Sequence, residues 1–259
     1  MALIEFSNVT KIYKKSHLGR VKKSSGISGL NLHIEQGEAF GLLGLNGSGK
    51  TTTIKLLLGL LYPSEGQVKV FEKVMPDLSI LGRIGYLPEA AYINKYLTGR
   101  EAVSLFARLS GLSGIKVDLA SEKILHQVGM ESAADKRVAD YSKGMVQRIS
   151  IAQALLHDPA ILVLDEPITG LDPLAIQEIR ELVLGLKKQG KTINLSSHSI
   201  SEVERICDRI GILVSGRMEK IVSSEEWTNK KGRLEEIFTN TVVRSDGVGP
   251  LQLFDQGRK

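Results

Sequence analysis

The stretch Ala39-Phe-Gly-Leu-Leu-Gly-Leu-Asn-Gly-Ser-Gly-Lys-Thr-Thr-Thr53 decides how this chain is read. A short apolar run, Ala39 to Leu43, ends at Gly44, and the spacing Gly44-x-x-x-x-Gly49-Lys50-Thr51 follows. That is the P-loop pattern. Glycines at 44, 47 and 49 open backbone angles closed to residues with a Cβ, so successive N–H groups can converge on one phosphate. Lys50 supplies a flexible point charge for terminal phosphate oxygens, and the Thr51 hydroxyl is a ligand for Mg2+. A helix starting here aims its positive end at the same anion. A glycine-rich strand-to-helix turn would share the pattern. The apolar strand in front, and the run Ile54-Lys-Leu-Leu-Leu58 closed by Gly59 behind, favour phosphate binding.

A second stretch, Ile161-Leu-Val-Leu-Asp-Glu-Pro167, carries the complementary chemistry. Four apolar residues in a row predict a strand buried on both faces, as in a parallel sheet. It ends in Asp165 and Glu166, and two carboxylates at the end of a buried strand are costly without compensation. A magnesium ion beside a P-loop supplies it: one carboxylate serves the metal and the next orients an attacking water. The bland alternative is a strand running into an acidic turn.

Between and beyond these stretches the pattern alternates. Residues 2–12, Leu30–Glu35, Gln67–Phe71 and Ile84–Glu89 read as strands. From residue 90 the texture turns helical. Thr98-x-x-Glu101 is a capping box opening a helix that Gly111 ends, and a second amphipathic run spans Leu119 to Val128. Ser142 is placed to cap the run Val146–Leu156, which Asp158-Pro159 stops. A helix opening Ser-x-Gly also offers N–H groups to an anion, and an ordinary capped helix looks the same. Asp172-Pro173 starts another helix, with Ile176, Ile179, Leu182, Val183 and Leu186 at helical spacing. A strand Thr192–Leu195 follows, with His198 just past its C-terminal edge, where open α/β sheets place ligands. Ser199-x-x-Glu202 is expected to cap the next helix. Gly211–Ser215 and Met218–Val222 form a hairpin. The last forty residues give one short helix, Leu234 to Phe238, and a polar, mobile tail.

Composition sets limits. The chain has 259 residues, 42% of them apolar, and no apolar run of the ~18–20 residues that a membrane span needs. Nothing at its start resembles a signal peptide, so it is expected to be cytosolic and to reach a membrane only through a partner. The single Cys207 excludes an internal disulfide or a cysteine-rich metal site and is expected to be buried. No acid lies between Glu5 and Glu35, and the six cations Lys11, Lys14, Lys15, Arg20, Lys22 and Lys23 outweigh the net charge of +5. A solvated loop over 14–30 is the preferred reading, ahead of a surface for anionic lipid or phosphate. Without aromatics interleaved for base stacking, nucleic acid is not an expected partner. Tyr13 at the edge of this segment either lies on a nucleobase or caps the core.

The ordered set GLNGSGKTT, YLPE, YSKGM, ILVLDEP, TGLD and SSHS resembles the nucleotide-binding subunits of ABC transporters, over residues 1–222. The resemblance implies an α/β fold: a P-loop ATPase core with a mixed sheet, an antiparallel β subdomain and a helical subdomain inserted at about 90–157. Residues 223–259 would add a C-terminal helix and polar tail. By the same resemblance Tyr13 stacks on adenine. Gly44, Asn46, Gly47, Ser48, Gly49, Lys50, Thr51 and Thr52 form the Walker A loop for ATP. Thr51, Asp165 and Glu89 lie at the Mg2+. Glu166 is the general base and His198 the switch that contacts the γ-phosphate, while Ser142 and Gly144 contact ATP held by a second subunit and Asp172 communicates across that interface.

The sequence departs from the common pattern in three of its motifs. The signature is YSKGM where LSGGQ is usual, Glu89 replaces Gln, and Leu45 replaces Pro. The first two, with the YLTGRE run at 96–101, resemble the branch serving ABC-2-type exporters. The expected protein is an ATPase subunit on the inner face of the cell membrane, paired with a second ATPase subunit and docked on a separately encoded permease. A soluble ATPase of the same superfamily acting on DNA or ribosomes is one alternative. A non-hydrolysing regulatory partner is another.

Overall fold

The structure, a computed structural model, describes residues 2–17, 20–90 and 92–246, without the side chains of 15–23 and 246. The expected polar tail therefore lies outside the described residues. In chain order the first half holds β1 (Ala2–His17), β2 (Arg20–Glu35), β3 (Ala39–Leu43), α1 (Lys50–Leu57), β4 (Glu65–Val70), β5 (Lys73–Val74), α2 (Leu78–Leu81) and β6 (Ile84–Leu87). Then come α3 (Gly99–Leu109), α4 (Ile115–Gln127), α5 (Lys143–Leu155), β7 (Ile161–Asp165), α6 (Pro173–Lys188) and β8 (Thr192–Ser197). The chain goes on through α7 (Ile200–Ile206), β9 (Arg209–Val214), β10 (Arg217–Ser223), α8 (Ser224–Thr228) and α9 (Arg233–Asp246). Two compact units divide it: Met1–Leu81 with Asn194–Lys259, and Gly82–Ile193.

The first unit contains two sheets. One is antiparallel, in the order β2-β1-β4-β5. Leu30, Leu32 and Ile34 alternate into its core while Asn31 and His33 face solvent, the period-two pattern of a half-buried strand. The basic segment expected as a loop is instead part of this sheet: β1 and β2 pair out to His17↔Arg20, with Lys14 opposite Lys23. Ser16, Ser24 and Ser25 pair across it with Val21, Tyr13 and Ile12. Gly26 lies so close to Tyr13 that a Cβ there would come within 2.6 Å of the ring, and bulges near Lys11 absorb the irregular register. The Lys11 amine donates to the Tyr62 carbonyl at 2.7 Å.

The other sheet of this unit runs β10-β9-β3-β8 and is mixed: β3 and β9 are parallel, β9 and β10 antiparallel. All five residues of β3 are buried. Phe40, Leu42, Leu43, Ile54, Leu56 and Leu57 are at most 1% exposed, and each contributes on the order of 1.5–3 kcal/mol of burial. The β9–β10 turn, Ser215-Gly216, has both residues at positive φ (48 and 83), as a two-residue hairpin of matching twist requires. Cys207 is buried as expected. Ser199 stands at the N-cap of α7, but its hydroxyl does not cap the helix and meets the Ser201 hydroxyl at 3.3 Å. The C-terminal helix runs well past the expected five residues, to Asp246, because Leu234, Ile237 and Val242 all find cover.

In the second unit β6 and β7 pair in parallel, from Ile84↔Ile161 to Leu87↔Leu164. The Thr98 capping box forms with both bonds: Glu101 N–H to the Thr98 hydroxyl at 3.1 Å, Thr98 N–H to the Glu101 carboxylate at 2.8 Å. The backbone before α3 then pairs with 134–138, through Gly99 N–H to Lys136 O and Val138 N–H to Leu97 O. Arg100 ties the same corner to Asp135 and Glu122. No helix among the described residues is long and apolar enough to cross a membrane.

Candidate functional site

The glycines of the loop after β3 have different physical reasons. A Cβ on Gly44 would collide with the Ser48 side chain and the Leu213 carbonyl, so only glycine fits the space. Gly49 has φ 111, and a Cβ would also stand 2.9 Å from the Gly26 carbonyl of β2. One backbone bond braces the loop from the β9–β10 turn, Gly216 N–H to Ser48 O at 2.9 Å, and the turn is itself held by β2, where Ser28 N–H donates to Gly216 O at 2.8 Å. Lys50 is 6% exposed and folds back over the loop, donating to the Gly44 carbonyl at 2.7 Å and the Leu45 carbonyl at 3.3 Å. Asn46 and Gly47 are exposed. The Ser48 hydroxyl is buried with no hydrogen-bond partner, which costs on the order of 1–3 kcal/mol and suits a loop built to receive a ligand.

Thr51 and Thr52 are half-buried in the first turn of α1. The Thr52 hydroxyl lies 3.2 Å from the Tyr13 hydroxyl, so Tyr13 is anchored by its tip at the head of the P-loop helix while its ring packs on Gly26. His198, also in this unit, is exposed directly after β8.

The second unit holds the acids. Every residue of β7 is buried, Asp165 at 1% exposure, and Glu166 follows at 8%. Glu166 has φ 51, a left-handed backbone uncommon for a residue with a long side chain and characteristic of sites where strain serves a purpose. Its carboxylate accepts from the Thr169 hydroxyl at 3.0 Å. On β6, Tyr86 has its phenol pushed up to about 12 by burial first and then by the charges of Asp165 and Glu89. Glu89 itself is exposed.

The head of α5 also belongs here. Ser142 is exposed and caps the helix, accepting from Met145 N–H at 3.2 Å. Gly144 is buried, and a Cβ on it would stand 2.7 Å from the Cβ of Ala175 in α6. Asp172 caps α6 through Leu174 and Ala175 N–H at 3.0 and 2.9 Å. Ser142, Gly144, Asp165, Glu166, Asp172 and Glu89 thus fall in one unit, and Tyr13, the P-loop and His198 in the other.

A loop of this construction on one unit and a doubly acidic strand end on the other ask which known proteins share both. The family described as "ABC transporter" matches residues 27–169, more than half of the chain. The chain belongs to the ABC transporter family. It is an ATP-binding subunit of that family, an ATPase. An ABC transporter ATP-binding protein of a Nostoc species is 40% identical, with 97% of this chain and 79% of that one covered. The bacitracin transport ATP-binding protein BcrA of Bacillus licheniformis is 39% identical, over 83% of this chain and 68% of its own. Nod factor export ATP-binding protein I of Burkholderia pseudomallei is 38% identical over 99% of this chain and 80% of its own. Among solved structures, a dimeric ATP-binding cassette in a post-hydrolysis state with ADP and Pi superposes with TM-score 0.76 at 27% identity, covering 85% of this chain and 98% of that one.

Residues to which the sequence assigned no role shape the ABC cassette's acidic half. Tyr141, where the common signature has Leu, donates from its hydroxyl to the Ala133 carbonyl at 2.7 Å and fills the space beside Gly99. Lys143 Nζ donates to the Thr169 carbonyl at 2.8 Å. Thr169 had one local sign: a hydroxyl three residues after an acid, across a proline, is a turn-forming arrangement. Nothing in the spacing links Lys143 to that turn.

Proposed function

We propose that this subunit powers export through a separately encoded multi-span permease, hydrolysing ATP at a site completed by a second ATPase subunit. The observation that carries the hydrolytic part is the end of β7: Asp165 and Glu166 side by side, nearly buried, with Glu166 held in a left-handed backbone. Phosphoryl transfer asks for positioning and charge neutralisation more than covalent chemistry, and that is what these residues offer. In this reading Lys50 leaves its own loop carbonyls for the β- and γ-phosphates, with N–H groups from Gly44 to Thr52, among them those of Asn46, Gly47, Ser48 and Gly49, around them. Glu166 takes the proton of the attacking water, and His198 holds the γ-phosphate. Tyr13 offers its ring to adenine. Ser142 and Gly144 serve the nucleotide of the second subunit, and Asp172 faces that subunit.

Thr51 and Asp165 supply hydroxyl and carboxylate oxygens, the hard donors Mg2+ takes, with Glu89 a further oxygen on the same chain. Mg2+ held by these oxygens would neutralise phosphate charge. The domain reading that goes with this is one cassette over 1–222, a helical insert over about 90–157, and an appended segment from 223.

Export is supported by the relatives, which include proteins of bacitracin transport and Nod factor export. A protein partner is supported by the surface of the second unit, where Tyr92, Tyr96, Leu105, Leu109, Ile115 and Leu119 are exposed within one stretch of chain. Such a subunit would lie on the cytoplasmic face of the cell membrane. Pull-down of the tagged chain from detergent-solubilised membranes tests the reading. A multi-span protein without its own ATPase domain is the expected companion; ribosomes or DNA in its place would put a soluble ATPase first.

A further inference from the structure

Two side chains on the first turns of α5 reach the loop that follows β7. Lys143 Nζ donates to the Thr169 carbonyl at 2.8 Å, and Gln147 Nε2 donates to the Pro167 carbonyl at 2.6 Å. Thr169 in turn holds Glu166 at two points. Its hydroxyl donates to the carboxylate at 3.0 Å, and its N–H to the Glu166 carbonyl at 3.3 Å. Gly170, at φ 69, lies so near the lysine that any Cβ there would displace the Lys143 amine.

We propose that Thr169 is a positioning residue for the Glu166 carboxylate, and that Lys143 acts through Thr169 to keep it in place. The inference rests on the reading of Glu166 as the group that activates water. A carboxylate on a flexible side chain serves as a base only when its plane is fixed within hydrogen-bond reach of the water. A hydroxyl on one of its oxygens fixes that plane, and misplacement on the scale of an ångström costs as much as a hundredfold in rate. The tether also has a consequence for the pair of subunits. Lys143 adjoins Ser142, the residue assigned to the nucleotide of the second subunit. A shift of the α5 head on nucleotide contact is transmitted through Thr169 to the hydrolytic carboxylate of the same chain. The lysine that replaces the common glycine of the signature is then a strut within its own chain and not a ligand of the nucleotide.

The full chain with saturating ATP and Mg2+ tests this through four variants: Thr169→Val, Thr169→Ser, Lys143→Met and the Thr169→Val/Lys143→Met pair. Thr169→Val keeps the shape and removes the hydroxyl, so kcat is expected to fall about tenfold while KM for ATP stays within about twofold. Thr169→Ser restores the hydroxyl and most of kcat. Lys143→Met lowers kcat in the parent and adds nothing further to Thr169→Val, the non-additivity of residues acting through one contact. Wild-type kcat in Thr169→Val overturns the proposal, as does an equal loss in Thr169→Ser, or losses for the pair that multiply. Glu166→Gln separates the two levels. If it still turns over, the reading of Glu166 is wrong and this inference goes with it. If Glu166→Gln is inactive while Thr169→Val is unaffected, the inference alone is wrong.

Discussion

The Tyr141 hydroxyl occupies the space that a Cβ on Gly99 would need, and it spends its hydrogen bond on the Ala133 carbonyl beside it. One residue opens the signature and the other the first helix after the YLP strand, so the YSKGM departure and the YLTGRE run are one packing solution. Gly99→Ala should cost on the order of 1–3 kcal/mol by overpacking. Tyr141→Phe should cost about 1 kcal/mol for the lost hydrogen bond. Because the phenylalanine lacks the atom that the new Cβ would strike, the double variant should be more stable than the sum of the two losses predicts. Urea unfolding of the four proteins gives the coupling energy, and additive losses would contradict the packing account.

Lys50 and Glu166 divide nucleotide binding from turnover. Lys50→Ala removes a buried ammonium that now rests on two loop carbonyls and is assigned to phosphate oxygens. Charge-assisted bonds of this kind are worth about 1.5–3 kcal/mol, so ATP affinity should drop by roughly ten- to a hundredfold. Glu166→Gln keeps the shape and loses the basicity; ATP should bind as before while kcat falls about 10²–10⁴-fold, the usual range for a general base. Calorimetric titration of ATP alongside phosphate release checks both. Unchanged affinity in the lysine variant, or unchanged turnover in the glutamine variant, would remove the corresponding role.

How much of this was legible in the sequence depended on whether the cause was local. The β3 strand and P-loop, the buried β7 ending in acids, and the caps at Thr98, Ser142 and Asp172 all follow from spacing within one segment, and the structure contains each. The β1–β2 arm was missed because its serines, glycines and lysines read as coil. Gly26 is there on account of Tyr13, a residue of the opposite strand. Ser199 has the cap's residue type and place but not its bond, since its hydroxyl meets Ser201. At the site, residue types were readable and linkages were not: Lys143 to Thr169, and Tyr141 to Gly99, each join segments separated by more than twenty residues.

Tyr86 gives the acidic half of the site a signature in pH. Its phenol is raised to about 12 from an ordinary value of 10, by burial and then by Asp165 and Glu89. Between these values the folded chain holds a proton that the unfolded chain has released, so stability is complete below pH 10 and declines as pH rises toward 12. Tyr86→Phe removes this dependence. Urea midpoints taken between about pH 9.5 and 11.5 should fall more steeply for the parent than for the variant. Parallel curves would mean that Tyr86 ionises normally and that neither carboxylate acts on it.

Gly144 has two candidate reasons to be glycine, and they can be separated. One is packing: a Cβ would stand 2.7 Å from that of Ala175 in α6, inside any normal contact. The other is the close approach of its backbone to a nucleotide on a second subunit. Gly144→Ala should lower the unfolding temperature by a few degrees, the effect of roughly 1–2 kcal/mol of overpacking in a chain of this size. Ala175→Gly removes the opposing methyl, and the Gly144→Ala/Ala175→Gly protein should recover part of the loss, because the new glycine at 175 gives up about 1 kcal/mol of helix propensity. If packing is the whole reason, ATP turnover returns together with stability. If nucleotide approach is the reason, the double variant regains stability and is still slow, because a methyl remains on the backbone that the nucleotide approaches. We expect the second outcome, read from unfolding temperature and kcat in the same preparations; full recovery of kcat would leave Gly144 a residue of the α5–α6 contact alone.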